Sequence, residues 1–521
     1  MEERIAKLRA VRQKAIEGGG QDKIARQHER GKLTARERLA HLLDPDSFVE
    51  HDMLVGHETG GPGDGVVSGH GMVDGRVVSV YSQDATVAGG TIGALHGRKI
   101  YKAVERALEM RVPFIGLNDS PGARAESKDQ MAAQYGVGSE KTGRSIFMPH
   151  VQASGVVPQI SAILGSCAGI AVYAPALTDF IFIVDRIGQM FITGPRVAKS
   201  VLGEDVTAEA LGGARIHSQV SGVVDFRTRS EEECFTVMRK LLGFLPPNNE
   251  ELPPVLNGGD DPDRLDDDIS AIVPSDPRKA YDTRQIIARL ADNGDFLEVK
   301  AEFAREVVVG FGRLDSHTVG FVANQPMVAG GALTVDSSDK QARFIRFCDA
   351  FNIPLVLLVD TPAYMPGTRQ EQAGIIRHGA KVPYALCEAT VPRIVVMVRK
   401  CYGGGWLGMG VIAGLGTDLV LAWPSAELGI MGAEQTVDLI HDREIAAAEH
   451  PQELREQLIR EYREKYSNPL ALVSSECVVG VHIDDVIEPR ETRRRLIREM
   501  RLLRTKKRPV QYPRKHANMP L

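Results

Sequence analysis

Three consecutive glycines, Gly403, Gly404 and Gly405, follow the apolar run Ile394 to Val398 and lead into small and apolar residues. A strand that enters a glycine turn at the head of a helix directs several backbone N–H groups at one point. Such a cluster suits a developing oxyanion and requires no nucleophile. The stretch Gln159 to Pro195 has the same layout. It runs through an apolar strand, Cys167, a small-residue turn, an apolar segment, the pair Thr178-Asp179 (matching Thr417-Asp418), a second apolar strand and a glycine.

The likeness extends upstream. Val87-Ala88-Gly89-Gly90 matches Val328-Ala329-Gly330-Gly331, and Asp119-Ser120-Pro121 matches Asp360-Thr361-Pro362, both at an offset of 241 (328 − 87 and 360 − 119). The chain therefore reads as an internal duplication. At the cysteines the offset is 234 (401 − 167), so the first half carries about seven extra residues. The surplus falls in Glu126 to His150, a polar, glycine-bearing stretch expected to be a surface loop near the site.

The elements that must position these turns follow from the pattern. At 521 residues the chain exceeds one ordinary core, in keeping with two halves. Hydrophobic residues at 43% and charged residues at 25% place it among soluble globular proteins, and the net charge of −5 gives no general attraction to nucleic acid or membrane. No apolar run is long enough to span a bilayer, and the charged start excludes a secretory signal. The six cysteines, without CxxC pairing, read as reduced and buried in a cytoplasmic protein.

Met1 to Leu43 reads as two charged helices forming an arm, with Thr34 as an N-cap candidate. Gly69 to Gln83 gives a hairpin about Asp74-Gly75, His96 to Met110 a helix, and Phe114 to Leu117 a buried strand. Leu245 to Pro277, rich in proline, glycine and acid, reads as the linker. The order then repeats: helix Thr283 to Ala291, hairpin Val307 to Ala323, helix Asp339 to Phe351, strand Leu355 to Asp360, and a helix from about Gln370 to Glu388. The basic run Arg490 to Lys515 reads as a solvated helix face. The expected division is an arm at 1–45, a domain at 46–245, a linker at 246–277 and a second domain at 278–521. Strand, helix, strand at this spacing implies parallel crossovers and an α/β class.

The segments HERGKLTARERLAHLLDP, GDGVVSGHG, CAGIAVYAPALTDF, FITGP, DAFNIPL, PGTRQEQAGIIRHGAK, RKCYGGGW and IEPRETRRRLI, in this order over nearly the whole chain, resemble the carboxyltransferase (beta) subunit of biotin-dependent acyl-CoA carboxylases. Within that family they are most similar to the propionyl-CoA carboxylase beta group. The resemblance implies two tandem crotonase-like domains, each with an oxyanion hole. It also implies a hexamer, a trimer of dimers, whose sites lie between the N-domain of one subunit and the C-domain of its dimer mate. One hole would hold the thioester carbonyl of a short or medium acyl-CoA as its alpha carbon becomes an enolate. The other would hold the ureido oxygen of biotin as carboxybiotin gives up its carboxyl group.

Carried over by position, the resemblance assigns the N-domain hole to Gly169 and Ile170 and the C-domain hole to Gly404 and Gly405. It implies acyl-CoA binding at Ala88, Gly89, Gly90, Gly122, Ala123 and Arg124. A biotin pocket is implied at Pro362, Ala363, Tyr364 and Trp406, with acyl selectivity at Leu407, whose apolar side chain would favour an alkyl chain. The chain departs from the family's CAGGA at Ile170, from DSGGAR at Pro121, from DVPGFLPG at Ala363, and from GGAY in reading GGGW. Arg124 could bind a CoA phosphate or pair with an acid. Tyr364 and Trp406 could be core aromatics or pocket wall.

His70, His96, His217 and His378 lack metal spacing and read as structural or surface residues, so no metal is expected; Cys167 and Cys401 read as packing residues. With no biotinylation motif and no phosphate-binding lysine loop in the sequence, biotin would arrive on a partner, a biotin carboxylase or biotin carboxyl carrier subunit. Two alternatives stand beside this reading. One is the same chemistry in a methylmalonyl-CoA decarboxylase or transcarboxylase; the other is a non-catalytic acyl-CoA-binding paralogue.

Overall fold

The computed structural model describes all residues except 60, 125–137, 140–143, 257–259, 475–481, 507–514, 517 and 521. Most of the loop expected at Glu126 to His150, and Cys477, lie outside the described residues. The chain divides into two compact units, Met1–Leu252 and Pro253–Leu521.

Each unit is built on one sheet. In the first, seven strands run in the order Val49–His51, Val66–Val73, Arg76–Gln83, Phe114–Asn118, Gln159–Ile163, Phe180–Val184 and Phe226–Thr228. The first two pairings are antiparallel and the rest parallel. The second unit repeats this with Phe296–Val299, Val307–Leu314, His317–Asn324, Leu355–Thr361, Arg393–Tyr402 and Leu419–Ala422, then closes on Asp485–Val486. Even the register repeats: Ser79 pairs with Phe114 as Gly320 pairs with Leu355, again 241 residues on (320 − 79 and 355 − 114). Parallel strands covered on both faces are buried along their length and mostly apolar. Accordingly Phe114–Asn118, Gln159–Ile163 and Leu355–Thr361 are buried at every position.

The expected hairpins form, turning at Asp74-Gly75 and Asp315-Ser316. Helices occupy Ala94–Met110, Thr283–Leu290 and Val335–Ala350. The last begins four residues earlier than expected because Thr334 accepts from the Ser337 amide and closes a capping box. The expected helix Gln370 to Glu388 is two, Thr368–Gln372 and Ile375–Glu388, because Gly374 adopts a left-handed φ of 86°.

Before residue 43 there are three helices, not two: Glu2–Glu17, Gln21–Glu29 and Ala35–Leu42. Gly18 (φ 55°) and Gly20 (φ 89°) break the first from the second. Thr34 caps the third in a reciprocal capping box with Glu37. That third helix is built into the core rather than laid on it, since Leu39, Leu42 and Arg38 are buried.

Residues 260–268, expected as linker, are held on the second unit by the basic C-terminal helix Thr492–Leu503 and its approach. Arg490 pairs with Asp267, Arg493 with Asp260, and Arg498 with Asp263. Arg493 is itself buried between Leu290 O and Asp292, so the run is not simply a solvated face. Cys167, Cys234, Cys348 and Cys401 are buried, whereas Cys387 is exposed on the outer side of its helix.

The Arg38 side chain, fully buried, ties the first unit together. Its Nε and Nη2 donate to the two Glu231 carboxylate oxygens at 2.8 and 2.9 Å, Nη1 to Asp119 at 3.0 Å, and Nη2 also to Leu164 O at 2.9 Å. Replacing Arg38 with Met leaves two buried carboxylates short of their cation, at a cost of about 3–5 kcal/mol. Denaturant unfolding of Arg38→Met should show a loss of that size. A change below about 1 kcal/mol would show that the network is dispensable.

Candidate active site

In the first unit the strand Ser166–Ala168 runs into Gly169 and then the helix Ile170–Ala176. Gly169 has φ 58° and ψ −124°, a conformation open to glycine and closed to residues with a Cβ. Its own N–H is occupied, donating to the carbonyls of Phe191 and Ile192, both at 3.1 Å. The next two amides, Ile170 and Ala171, head the helix, where helical bonding supplies no acceptor, and they meet no other acceptor among the described residues.

The second unit repeats the device. Gly403 has φ 51° and ψ −141°, and its N–H donates to Gly429 O at 3.0 Å. Gly404 and Gly405 then head the helix Gly404–Gly408 with their amides unengaged by the described residues. Gly403 is therefore the counterpart of Gly169, and the counterparts of Gly404 and Gly405 are Ile170 and Ala171. The Gly169 amide is spent on the neighbouring strand, so the open pair in the first unit is shifted by one residue from that expected. The offset of 234 already carried this signal, had it been applied residue by residue. Ile170 at the donor position keeps the N–H, because it lies in the helix and not at the left-handed residue.

Around each turn two loops close in. Ala88, Gly89 and Gly90 take left-handed φ values of 48°, 66° and 71°. A Cβ on Gly90 would lie 2.5 Å from Asp119 O. The Ile92 amide donates to Gly122 O at 2.8 Å and the Arg124 amide to Ile92 O at 3.0 Å, locking Gly122, Ala123 and Arg124 beside this loop. Gly122, at φ 108°, packs where a Cβ would be 2.7 Å from Ala168 O, one residue from the turn. The structure thus gathers Ala88 to Gly90, Gly122 to Arg124, and the turn at Gly169 and Ile170. Arg124 pairs with Asp64 at 2.7 Å and donates to Thr91 O at 2.9 Å, which is the acid-pairing role of the two open to it.

In the second unit Ala329, Gly330 and Gly331 repeat the left-handed run, and Leu333 brackets Ala363 to Met365 through bonds of 3.0 and 2.7 Å. Tyr364 stands where the first unit has Ala123. Its ring fills space beside three glycines: a Cβ on Gly404 would meet the ring at 3.3 Å, on Gly379 at 3.2 Å, and on Gly408 its hydroxyl at 2.6 Å. The hydroxyl donates to Gly379 O at 3.4 Å, and burial raises its pKa to about 12. Gly405 lies under Thr361, with room for no Cβ (2.7 Å to Cγ2). Pro362, Ala363 and Leu407 are half-buried, Gly404 is exposed and Trp406 is buried at 9% exposure.

Each loop rests on a buried aspartate. Asp119 is held by Arg38, Lys32 (2.7 Å) and Gln27, and Asp360 by Arg399 (3.0 Å) and the Lys400 amide (3.1 Å). The Asp119 and Asp360 amides donate to Gln83 and Asn324 side chains at matching positions.

The carboxyl transferase domain family matches residues 26–519. The chain belongs to that family. It is 49% identical to the propionyl-CoA carboxylase carboxyltransferase subunit of Haloferax mediterranei, covering 100% of both chains. It is 45% identical to the methylmalonyl-CoA decarboxylase subunit alpha of Veillonella parvula, over 100% of this chain and 98% of the other. Among solved structures, hexameric transcarboxylase 12S, with methylmalonyl-CoA and methylmalonic acid bound, superposes with a TM-score of 0.92 at 44% identity, covering 100% of this chain and 98% of that one. The fold is thus the duplicated crotonase-like α/β fold of carboxyltransferases.

His96, expected to be structural, is fully buried behind the first loop. Gln83 Nε2 donates to its Nε2 at 3.0 Å, and its Nδ1–H donates to Asp64 O at 3.0 Å, so the ring is neutral. Burial lowers its pKa to about 3 and that of buried His150 to about 4. Below the ordinary histidine pKa of about 6.5 the unfolded chain binds protons that the folded chain does not, so stability falls as pH drops from about 6.5 towards those values. Each histidine contributes up to about 1.4 kcal/mol per pH unit. Urea midpoints at pH 7 and pH 5 should show the loss, with a shallower slope in His96→Gln. An unchanged slope in the variant would contradict the assignment.

Proposed function

We propose that the protein is the carboxyltransferase subunit of an acyl-CoA carboxylase of the propionyl-CoA type. The observation that carries this reading is that each unit presents one pair of adjacent, unengaged backbone amides behind a glycine whose own amide is tied down. The Ile170 and Ala171 amides hold the thioester oxygen of the acyl-CoA as its alpha carbon loses a proton, and the Gly404 and Gly405 amides hold the ureido oxygen of biotin. Amides fixed in this way need no reorganisation as charge develops, and each contributes about 3 kcal/mol to the transition state.

Carboxybiotin, carried by a separate biotin carboxylase or carrier subunit, supplies the carboxyl group. The exposed Gly404 amide and the half-buried Pro362 and Ala363 fit the approach of a flat ureido ring, while Tyr364 fixes the wall behind it. Ala88 to Gly90 and Gly122 to Ala123 form the acyl-CoA side, and half-buried Leu407 favours an alkyl chain over a charged one. The assembly is a hexamer, as the transcarboxylase 12S core is. The relationship to the methylmalonyl-CoA decarboxylase subunit supports a second reading, the same transfer run towards decarboxylation.

The test uses purified protein, free biotin as acceptor, and a panel of malonyl-, methylmalonyl- and longer carboxyacyl-CoAs. Methylmalonyl-CoA should lose its carboxyl group in a biotin-dependent reaction. Ile170→Pro and Gly404→Pro each remove one donor at a first helical position that tolerates proline. Each should lower kcat about 10²–10³-fold. Tight CoA binding without turnover, with a biotin-carrying partner supplied, would overturn the proposal and leave an acyl-CoA-binding paralogue.

A further inference from the structure

The seam between a sheet face and the helix that covers it is normally apolar, but one seam of the first unit is not. Val49 pairs with His70 and His51 with Ser68, so His51 and His70 lie diagonally on the same face of two antiparallel strands. Their rings are 5.0 Å apart at 50°. The helix Ala94–Met110 lies against this sheet and presents Lys99, Lys102 and Arg106 at helical spacing. Lys102 pairs with Asp52 at 2.5 Å, and buried Lys99 donates to the carbonyls of Gly63 and Val66.

Arg106 has no carboxylate partner among the described residues; it donates instead to Nδ1 of His51. The Nδ1 of His70 is buried with no partner. His51, His70, Lys102 and Arg106 are all half-buried, open to solvent on one side. The nearby acids are committed: Asp52 to Lys102, and Glu50, on the opposite face of its strand, to Arg36. Among the described residues, the seam thus carries more cationic groups than carboxylates to pair with them, and one imidazole nitrogen without a partner.

We propose that His51, His70, Lys102 and Arg106 form a binding site for a phosphate group. The Arg106 guanidinium and the imidazole N–H groups donate to its oxygens, with Lys102 as an added point charge. The inference is independent of the carboxyl-transfer reading. Burial, and the charges of Arg106, the neighbouring His70 and Lys102, hold the His51 pKa down against the opposing pull of Asp52. An anion in the seam reverses that balance, so binding takes up a proton and tightens as pH falls from 7 to 6.

Calorimetric titration of the full chain with inorganic phosphate at low ionic strength tests this. Saturable binding is expected, at least tenfold weaker in Arg106→Gln, and in His51→Gln the gain in affinity between pH 7 and pH 6 should be smaller than in the wild type. Far-UV circular dichroism and melting temperature confirm that both variants fold. Competition by coenzyme A but not by 3′-dephospho-coenzyme A assigns the site to the 3′-phosphate. Equal competition assigns it to the diphosphate, and none assigns it to a free phosphate ligand; each of these retains the site. Absence of saturable binding to the wild type, or equal binding by Arg106→Gln, overturns it.

Discussion

A left-handed glycine whose own amide is already bonded is the constraint on which the rest depends. At Gly169 and Gly403 the chain must turn out of a parallel strand into a helix with φ near 55°, at values of 58° and 51°. A residue with a Cβ is excluded there by steric strain. The bond from this glycine to the adjacent short strand, Gln189–Phe191 or Glu427–Gly429, fixes its peptide plane and hence the direction of the next two amides. Chemistry that depends on backbone donors is thereby protected from side-chain change, and Ile170 can replace a glycine without removing a donor.

The duplication preserves this turn while its supports have diverged. In the first unit the aspartate under the loop is held by Arg38, from the third N-terminal helix, and by Lys32, from the segment that precedes that helix. In the second the same position is held by Arg399, from the strand that leads into the turn, with the guanidinium 5.0 Å over the Tyr281 ring. A Cβ on Gly165, the counterpart of Arg399, would lie 1.8 Å from Asp119, so the first unit has no room for an equivalent side chain there. Ala123 and Tyr364 show the same divergence around the turn. A small residue leaves one site open, and a ring braces the other.

Much of this was legible in the sequence because it depends on local chemistry. The hairpin at Asp74-Gly75, the Thr34 cap and the two glycine turns each rest on residues adjacent in the chain. The repeat made the two sheets readable together. What was not legible depends on partners distant in sequence. The engagement of the Gly169 amide requires knowing that Gln189–Phe191 lies beside Ser166–Ala168. Likewise the burial of Arg38 requires Glu231, 193 residues away. The breaks at Gly18, Gly20 and Gly374 were not legible because helical periodicity continues across glycines that the backbone uses for turns.

The most direct measurement of the central claim is the infrared stretching frequency of a 13C-labelled thioester carbonyl in bound acyl-CoA. In the proposed reading, two amides aimed at that oxygen polarise the carbonyl before any proton moves. The account predicts a band shifted to lower frequency than in solution for the wild type and returned towards the solution value in Ile170→Pro. A carbonyl band at the solution frequency in the fully bound wild type would contradict it.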